Sequence, residues 1–448
     1  MSGKGGLMNR AIFFSLLVIA FCVCGIDAAT FLVGQARTFK TPSDVAGSVN
    51  NGDTVLIDSG TYTGQACTWS ANNLTLRSVA CYAHLIPPNP VPNEKAIWII
   101  DGQNTTVENI EFSDASISDA DGGNGAGIRQ EGVNLTVRHC YFHDCQDGIL
   151  ESNIGASNIT MEYSEFARCG NATGPNSGYT HNIYIGHCAS LTMRFCYSHD
   201  ALVGHTLKSR AHTNYIFCNR IMSLNSTTSY EASFPNGGTA FFIGNCVEQG
   251  PNSQNSVIID YGSEGLSGYD SSFYVVNNTV VNDLGSGTFV RIANTSKAAR
   301  VINNLFSGAG TLYSGQVDTT ANIFTNTPGF VDKANFDYHL TSASPAVDKG
   351  VNPGTVGTIS LAPDSQYVYD LNGSPRAIVG SAIDAGAFEY SPSSVLSPRT
   401  SIMRMSSNQR MYRLSFHPRL DMMGRLISAN QQKAGARTGA FMIGPDSP

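Results

Sequence analysis

The chain repeats one short phrase. It stands as Asn73-Leu-Thr-Leu-Arg77, Asn104-Thr-Thr-Val-Glu108, Asn134-Leu-Thr-Val-Arg138, Asn158-Ile-Thr-Met-Glu162 and Ser190-Leu-Thr-Met-Arg194. In each, a polar turn residue precedes alternating apolar and polar positions, the signature of a strand with one buried face. The anchor positions Leu135, Ile159, Leu191 and Tyr215 are separated by 24, 32 and 24 residues. The long interval contains an insertion, Cys169 to Tyr179, rich in Gly, Asn and Pro. Short strands recurring at a fixed period predict a solenoid in which each repeat is one coil. Gly is abundant (45 residues) and charge is sparse at 14 %, which agrees with an all-β chain of many turns.

Two further strands belong to this register. Both His181-Asn-Ile-Tyr-Ile-Gly186 and Gly204-His-Thr-Leu-Lys-Ser-Arg210 alternate with a period of two. With Leu191 and Tyr215 taken as equivalent, His181 falls in one column with His205, and Tyr184 in one column with Lys208. Adjacent coils would then bring Tyr184 and Lys208 within a strand spacing of about 4.8 Å. Lys208 and Arg210, two apart, share a face. The same register aligns Cys145 with Cys169, within disulfide reach, and gives an Arg138, Glu162, Arg194 charge ladder. Cys67 and Cys81 flank the first repeat and form a second candidate pair. His143-Asp144 and His199-Asp200 also recur at equal offsets. They could bind metal, but because neighbouring strand residues face opposite ways, a repeated turn is the preferred reading.

The ends differ from the middle. Lys4 and Arg10 precede an apolar run, Ala11 to Cys24, and small residues follow through Ala29. Residues 1–29 read as a secretory signal, so the mature chain is expected to be secreted, extracellular or wall-bound, with no transmembrane segment. Nine Cys then remain for an oxidising compartment. Nine Asn-x-Ser/Thr sequons, at Asn73, Asn104, Asn134, Asn158, Asn171, Asn225, Asn277, Asn294 and Asn372, are glycosylation candidates, although Asn-Leu-Thr also suits a turn leading into a strand. Residues 30–335 carry the coils. The pattern changes in 336–390, read as an irregular terminal cap. Residues 391–448 are basic, lack a sustained apolar face and read as disordered. Setting aside that tail and the signal leaves 17 basic against 31 acidic residues. Such an acidic body argues against nucleic acid as a partner.

The Asn51-Gly-Asp-Thr-Val55 opening, the Asn-Leu-Thr coils, and the closing phrases Ser344-Pro-Ala-Val-Asp-Lys-Gly350 and Asp384-Ala-Gly-Ala-Phe-Glu-Tyr390 resemble the right-handed parallel β-helix proteins of the pectate-lyase-like superfamily. The likeness spans Phe31 to Tyr390. Ser198 to Arg210, with Phe234-Pro-Asn-Gly-Gly238, is similar to an uncharacterised secreted subgroup. The resemblance implies a monomeric protein acting on or binding a polysaccharide, uronic-acid-rich if the protein is a lyase. Lyases of this fold use Lys or Arg as base, often with Ca2+. Elimination needs a base, a stabilised carboxylate and a proton donor. The catalytic candidates are therefore Lys208 as base and Arg210 as carboxylate clamp, with Tyr184, His205 and His181 beside them. Tyr184, Arg210 and Asn236 are the candidate substrate contacts, and Tyr184, Phe241, Phe242 and Tyr261 a candidate sugar-stacking strip. Asp147, Glu151 and Glu131 are the acidic candidates for a metal, with no spacing motif uniting them. The Asn-Thr-Asp, Asp-Asp, Gly-His-Gly and Arg-Ile-Lys phrases of polygalacturonases are absent, which makes hydrolysis through two placed carboxylates the weaker enzymatic reading. A non-catalytic carbohydrate-binding or wall-structural protein is the alternative from another class.

Overall fold

The repeats stack as coils of a parallel β-helix. The computed structural model describes residues 28–294 and 297–392, together with the isolated Gly3. Almost all of the expected signal segment, and the basic tail beyond Pro392, therefore lie outside the described residues. Successive coils stack their strands into three parallel sheets of twelve, eleven and ten strands. The first sheet runs from Thr30–Val33 to Asp318–Thr320 and holds the repeated phrases. The second runs from Gly60–Thr63 to Ile323–Thr325, and the third from Cys67–Trp69 to Thr311–Ser314. Among the described residues no helix is long and apolar enough to cross a membrane.

The coil is built by alternation and by left-handed corners. Val137, Met161, Met193 and Ile216 point inward and are fully buried. Phe112, Phe142 and Phe166 stack in the core at centroid spacings of 4.8 and 5.0 Å. Corners between the first and second sheets pass through positive φ at Asn109, His139, Tyr163, Phe195, Cys218, Gly244, Asn277 and Asn303. Beside them runs a column of buried amides. Asn219, Asn245, Asn278, Asn304 and Asn322 each accept the backbone N–H of the preceding coil through Oδ1 at 2.8 to 2.9 Å. This ladder satisfies corner N–H groups that would otherwise be buried without partners.

The Leu135, Ile159 and Leu191 alignment holds residue for residue. One coil later it slips: Leu191 pairs with Asn214, and Thr192 with Tyr215. Asn214 occupies the inward position because its amide is bound there, to Ser209 Oγ at 2.5 Å and Ala211 O at 3.1 Å. The charge ladder forms, with Glu162 bridging Arg138 at 2.9 Å and Arg194 at 3.0 Å.

Neither expected cysteine pair is joined in the structure. The nine described cysteines are all free thiols. Cys67 packs against the core beside Ser43 while Cys81 is exposed, so that pair is not joined. Cys145 and Cys169 are neighbours on adjacent coils, but each thiol donates weakly to a backbone carbonyl, of His143 and Ala167. Several sequon asparagines serve structure. Asn104, Asn134 and Asn158 each donate Nδ2 to the asparagine one coil before, at 2.8 to 3.1 Å, and Asn277 is fully buried.

After Thr325 the chain turns to antiparallel hairpins such as Phe330–Asp332 with Asp337–Leu340. This segment packs back along the flank of the coils. Tyr367 and Phe388 join Phe195, Cys218 and Cys246 in one cluster, and Leu361 covers Phe241 and Tyr274. Its closing phrases are locks. Buried Arg376 bonds Glu389 at 3.2 Å and the carbonyls of Asp384 and Gly386. The Asp384 carboxylate in turn accepts N–H groups from Asp348 and Tyr390.

Candidate functional site

The outer face of the third sheet carries the cations. Ile183–Ile185 pairs in parallel with the short strand Lys208–Ser209, and the register sets Tyr184 opposite Lys208. Leu207 and Ser209 turn into the core, so Lys208 and Arg210 turn outward, as alternation requires. The expected juxtaposition is present. The Lys208 ammonium lies 5.3 Å, and the Arg210 guanidinium 5.9 Å, from the Tyr184 ring centroid. Arg210 Nε donates to the Tyr184 hydroxyl at 3.3 Å, and its Nη1 donates to Asn236 Oδ1. Neither cation is a freely solvated group, since their side chains are only 13 % and 15 % exposed.

Glu264 completes the arrangement, and the sequence reading did not include it. Its Oε2 lies 2.7 Å from Arg210 Nη1 and its Oε1 3.6 Å from Lys208 Nζ. It stands in the turn after Val257–Tyr261, between Gly262 and Gly265, both at positive φ. It is the most exposed member of the group, at 47 %. The signal that could have found it is the register itself. Lys208 pairs with Ser233, and Ser233 with Asp260, four residues before Glu264.

Burial and then the Arg210 charge pull the Lys208 ammonium below its ordinary value, against the opposing pull of Glu264. Burial alone would raise the Glu264 carboxyl. The hydrogen bond from Arg210 and the charges of both cations outweigh it and hold the carboxyl low.

The neighbouring column has a different character. Asp147, His181 and His205 lie on consecutive coils, the two imidazoles stacked at 4.5 Å. Asp147 Oδ1 accepts the His181 N–H at 2.7 Å, and His181 Nδ1 accepts the His205 N–H at 3.0 Å. Burial drives His181 well below its ordinary value and His205 to about 3, with Lys208 and Arg210 adding to the effect. Both rings are therefore neutral at neutral pH. They brace the strand pair and do not offer an imidazolium. Burial pushes the Asp147 carboxyl up to about 8.

The acidic candidates each have partners within the protein. Glu131 is bound by Lys95 at 2.7 Å and faces Arg129 at 3.6 Å. Glu151 accepts the N–H groups of Asn153 and Ile154, and Asp147 accepts that of His181. Hard cations want several ionised or carbonyl oxygens converging on one point, and each of these three carboxyls already has a structural partner. The stacking strip reduces to Tyr184. Phe242 and Tyr261 lie in the core, and Phe241 is sandwiched between Tyr215 and Tyr274 under the C-terminal segment.

A family model described as a right handed beta helix region matches residues 55–224. No curated protein sequence matches the chain. Among solved structures, pectate lyase Pel9A aligns with a TM-score of 0.55 at 13 % identity, over 82 % of this chain and 98 % of that one. An alginate lyase from Paenibacillus sp. str. FPU-7 aligns at 0.43 and 11 % identity, over 66 % and 98 %. With its three parallel sheets, the family-model match and the likeness to pectate lyase Pel9A, the chain has a right-handed parallel β-helix fold.

Proposed function

We propose that the protein is an exported polysaccharide lyase that cleaves a uronic-acid polymer by β-elimination. The observation that carries this reading is the Glu264 carboxylate held between Arg210 and Lys208. Two converging cations beside an aromatic ring, already satisfied by one carboxylate, form a cradle of the right charge and shape for a sugar carboxylate. In the reaction, neutral Lys208 takes the proton from the carbon next to the substrate carboxylate. The electrons of that C–H bond form the new carbon–carbon double bond. The glycosidic C–O bond breaks, and its oxygen leaves with a proton from the Tyr184 hydroxyl or from water. Arg210 holds the carboxylate through its planar fork and stabilises charge that builds on it in the transition state. Substrate entry requires Glu264 to leave the cradle, and the glycines on either side give its turn that freedom.

The same ion pairing favours one second reading. If Glu264 stays in place, the cations are neutralised and the face is a non-catalytic sugar-binding surface. Product mass separates the readings. Elimination yields fragments one water lighter than hydrolysis does, and is expected from pectate or alginate. Binding to the polymer without fragments supports the second reading, and fragments of hydrolytic mass reject the elimination.

A further inference from the structure

The second sheet carries a cluster on its own outer face that the elimination chemistry does not use. His84 on Ala83–Ile86, Glu111 on Ile110–Ser113 and His143 on Tyr141–His143 come from three consecutive coils. His84 pairs directly with Glu111, and Glu111 with Tyr141. His143, two residues further, shares that face and reaches back one coil. Its Nε2 lies 3.0 Å from Glu111 Oε1, and His84 Nε2 lies 3.8 Å from the same oxygen. One ligand atom from each of the three falls within 4.8 Å of the others. Zinc bonds of about 2.0–2.2 Å in tetrahedral array put ligand atoms roughly 3.3–3.5 Å apart, so small side-chain rotations would bring all three into contact with one ion.

The surroundings are those of a built site. His143 Nδ1 contacts Asp144 Oδ2 at 2.6 Å, and Arg168 clamps that carboxylate at 2.7 and 2.8 Å. A carboxylate on the far ring nitrogen fixes the imidazole's orientation and raises its basicity as a ligand. The left-handed backbone at Asp144 (φ 55°) swings its carboxylate round to the histidine, although the two are adjacent in sequence. His84 lies at the rim, its side chain 17 % exposed, which leaves a coordination position toward solvent.

The chain also contains its own control. His199 repeats the His143 arrangement two coils on, with Asp200 at 2.9 Å on Nδ1 and Glu165 at 3.1 Å on Nε2. It stacks on Tyr197 as His143 stacks on Tyr141. The strand before Glu165, however, presents Tyr141, whereas the strand before Glu111 presents His84. The second copy therefore lacks the third ligand.

We propose that His84, Glu111 and His143 bind a divalent transition-metal ion that clips three coils together, zinc being the metal best matched to two imidazoles and one carboxylate. The ion takes the place of the proton between His143 Nε2 and Glu111, which passes to solvent. The test uses the full chain, stripped with chelator and titrated with zinc. The unmodified protein and His199→Ala should each bind one more equivalent than His84→Ala. Zinc should also raise their melting temperature by several degrees, by preferential binding to the folded state, with no such rise in His84→Ala. His84→Gln, whose amide reaches about as far as Nε2 and can keep the 2.8 Å hydrogen bond to Ser113, repeats the comparison if the alanine variant does not fold. Equal zinc stoichiometry in the His84 variants and the unmodified protein overturns the proposal, as does an absence of zinc binding.

Discussion

At the scale of single residues, the proposed chemistry depends on the balance around Lys208. Burial and Arg210 lower its pKa while Glu264 raises it. A lysine base works only in its neutral form, so activity should rise with pH as Lys208 loses its proton. Glu264→Gln removes the opposing charge and should move that acid limb to lower pH. It should also lower KM, because the competing carboxylate is gone; a pH–rate profile identical to that of the unmodified protein would contradict this role. Arg210→Lys keeps the charge but loses the planar fork, and should raise KM more than it lowers kcat. The juxtaposition of Tyr184 and Lys208 was legible in the sequence because both segments alternate cleanly. Glu264 was not, because it lies on a turn two coils away and becomes a neighbour only through stacking. The His84 cluster was hidden for a different reason. Strict alternation sends His143 and Asp144 to opposite faces, and only the left-handed corner reunites them.

At the scale of the repeated element, the coil is held by columns as much as by strands. The asparagine column is the clearest case. Asn245 accepts from the Asn219 N–H at 2.9 Å and donates to the Ile216 carbonyl at 2.9 Å, all three groups being buried. Asn245→Ala removes both bonds and leaves the buried Asn219 N–H without its acceptor, at a cost of about 1–3 kcal/mol. The thermal midpoint should fall clearly, whereas Thr61→Ala, at an exposed strand position, should leave it nearly unchanged; equal effects would contradict the ladder's role. The sequence showed this column only in part, as the Asn-Asn pairs at 277–278 and 303–304. The earlier positions are filled by Ser164 and Cys196, which break the visible pattern while keeping the place. The slip at Tyr215 has a related origin. An aromatic residue looks like the inward anchor, but Asn214 satisfies its amide within the coil and takes that place, leaving Tyr215 to stack with Phe241 outside.

At the scale of the whole molecule, buried ionisable groups tie stability to pH. Asp147 and Glu248 are each pushed up to about 8, and His143 is raised to about 9 by its carboxylate partners against its burial. For the two carboxyls the folded state retains protons that the unfolded chain releases near pH 4, so folding loses stability from there up to about 8. For His143 the loss runs from about 6.5 to 9. Below 6.5 the neutral His181 and His205 oppose this trend, because the unfolded chain binds protons that their folded sites refuse. Melting temperature should therefore fall between pH 6.5 and 9. Asp147→Asn should flatten that fall, and a melting temperature that climbs through this range would contradict the assignment. The fold as a whole was legible because repetition constrains every coil alike. The C-terminal segment was less so, since its irregular phrases reveal their partners, Phe195 and Cys218 among them, only once the coils are built. The most direct test of the central claim is the ultraviolet absorbance of unsaturated uronate ends, followed with pectate and with alginate. The account predicts that absorbance grows with the unmodified protein and that folded Lys208→Ala is slower by at least about a hundredfold. Equal rates from the two proteins, or no absorbance from any uronate polymer, would contradict it.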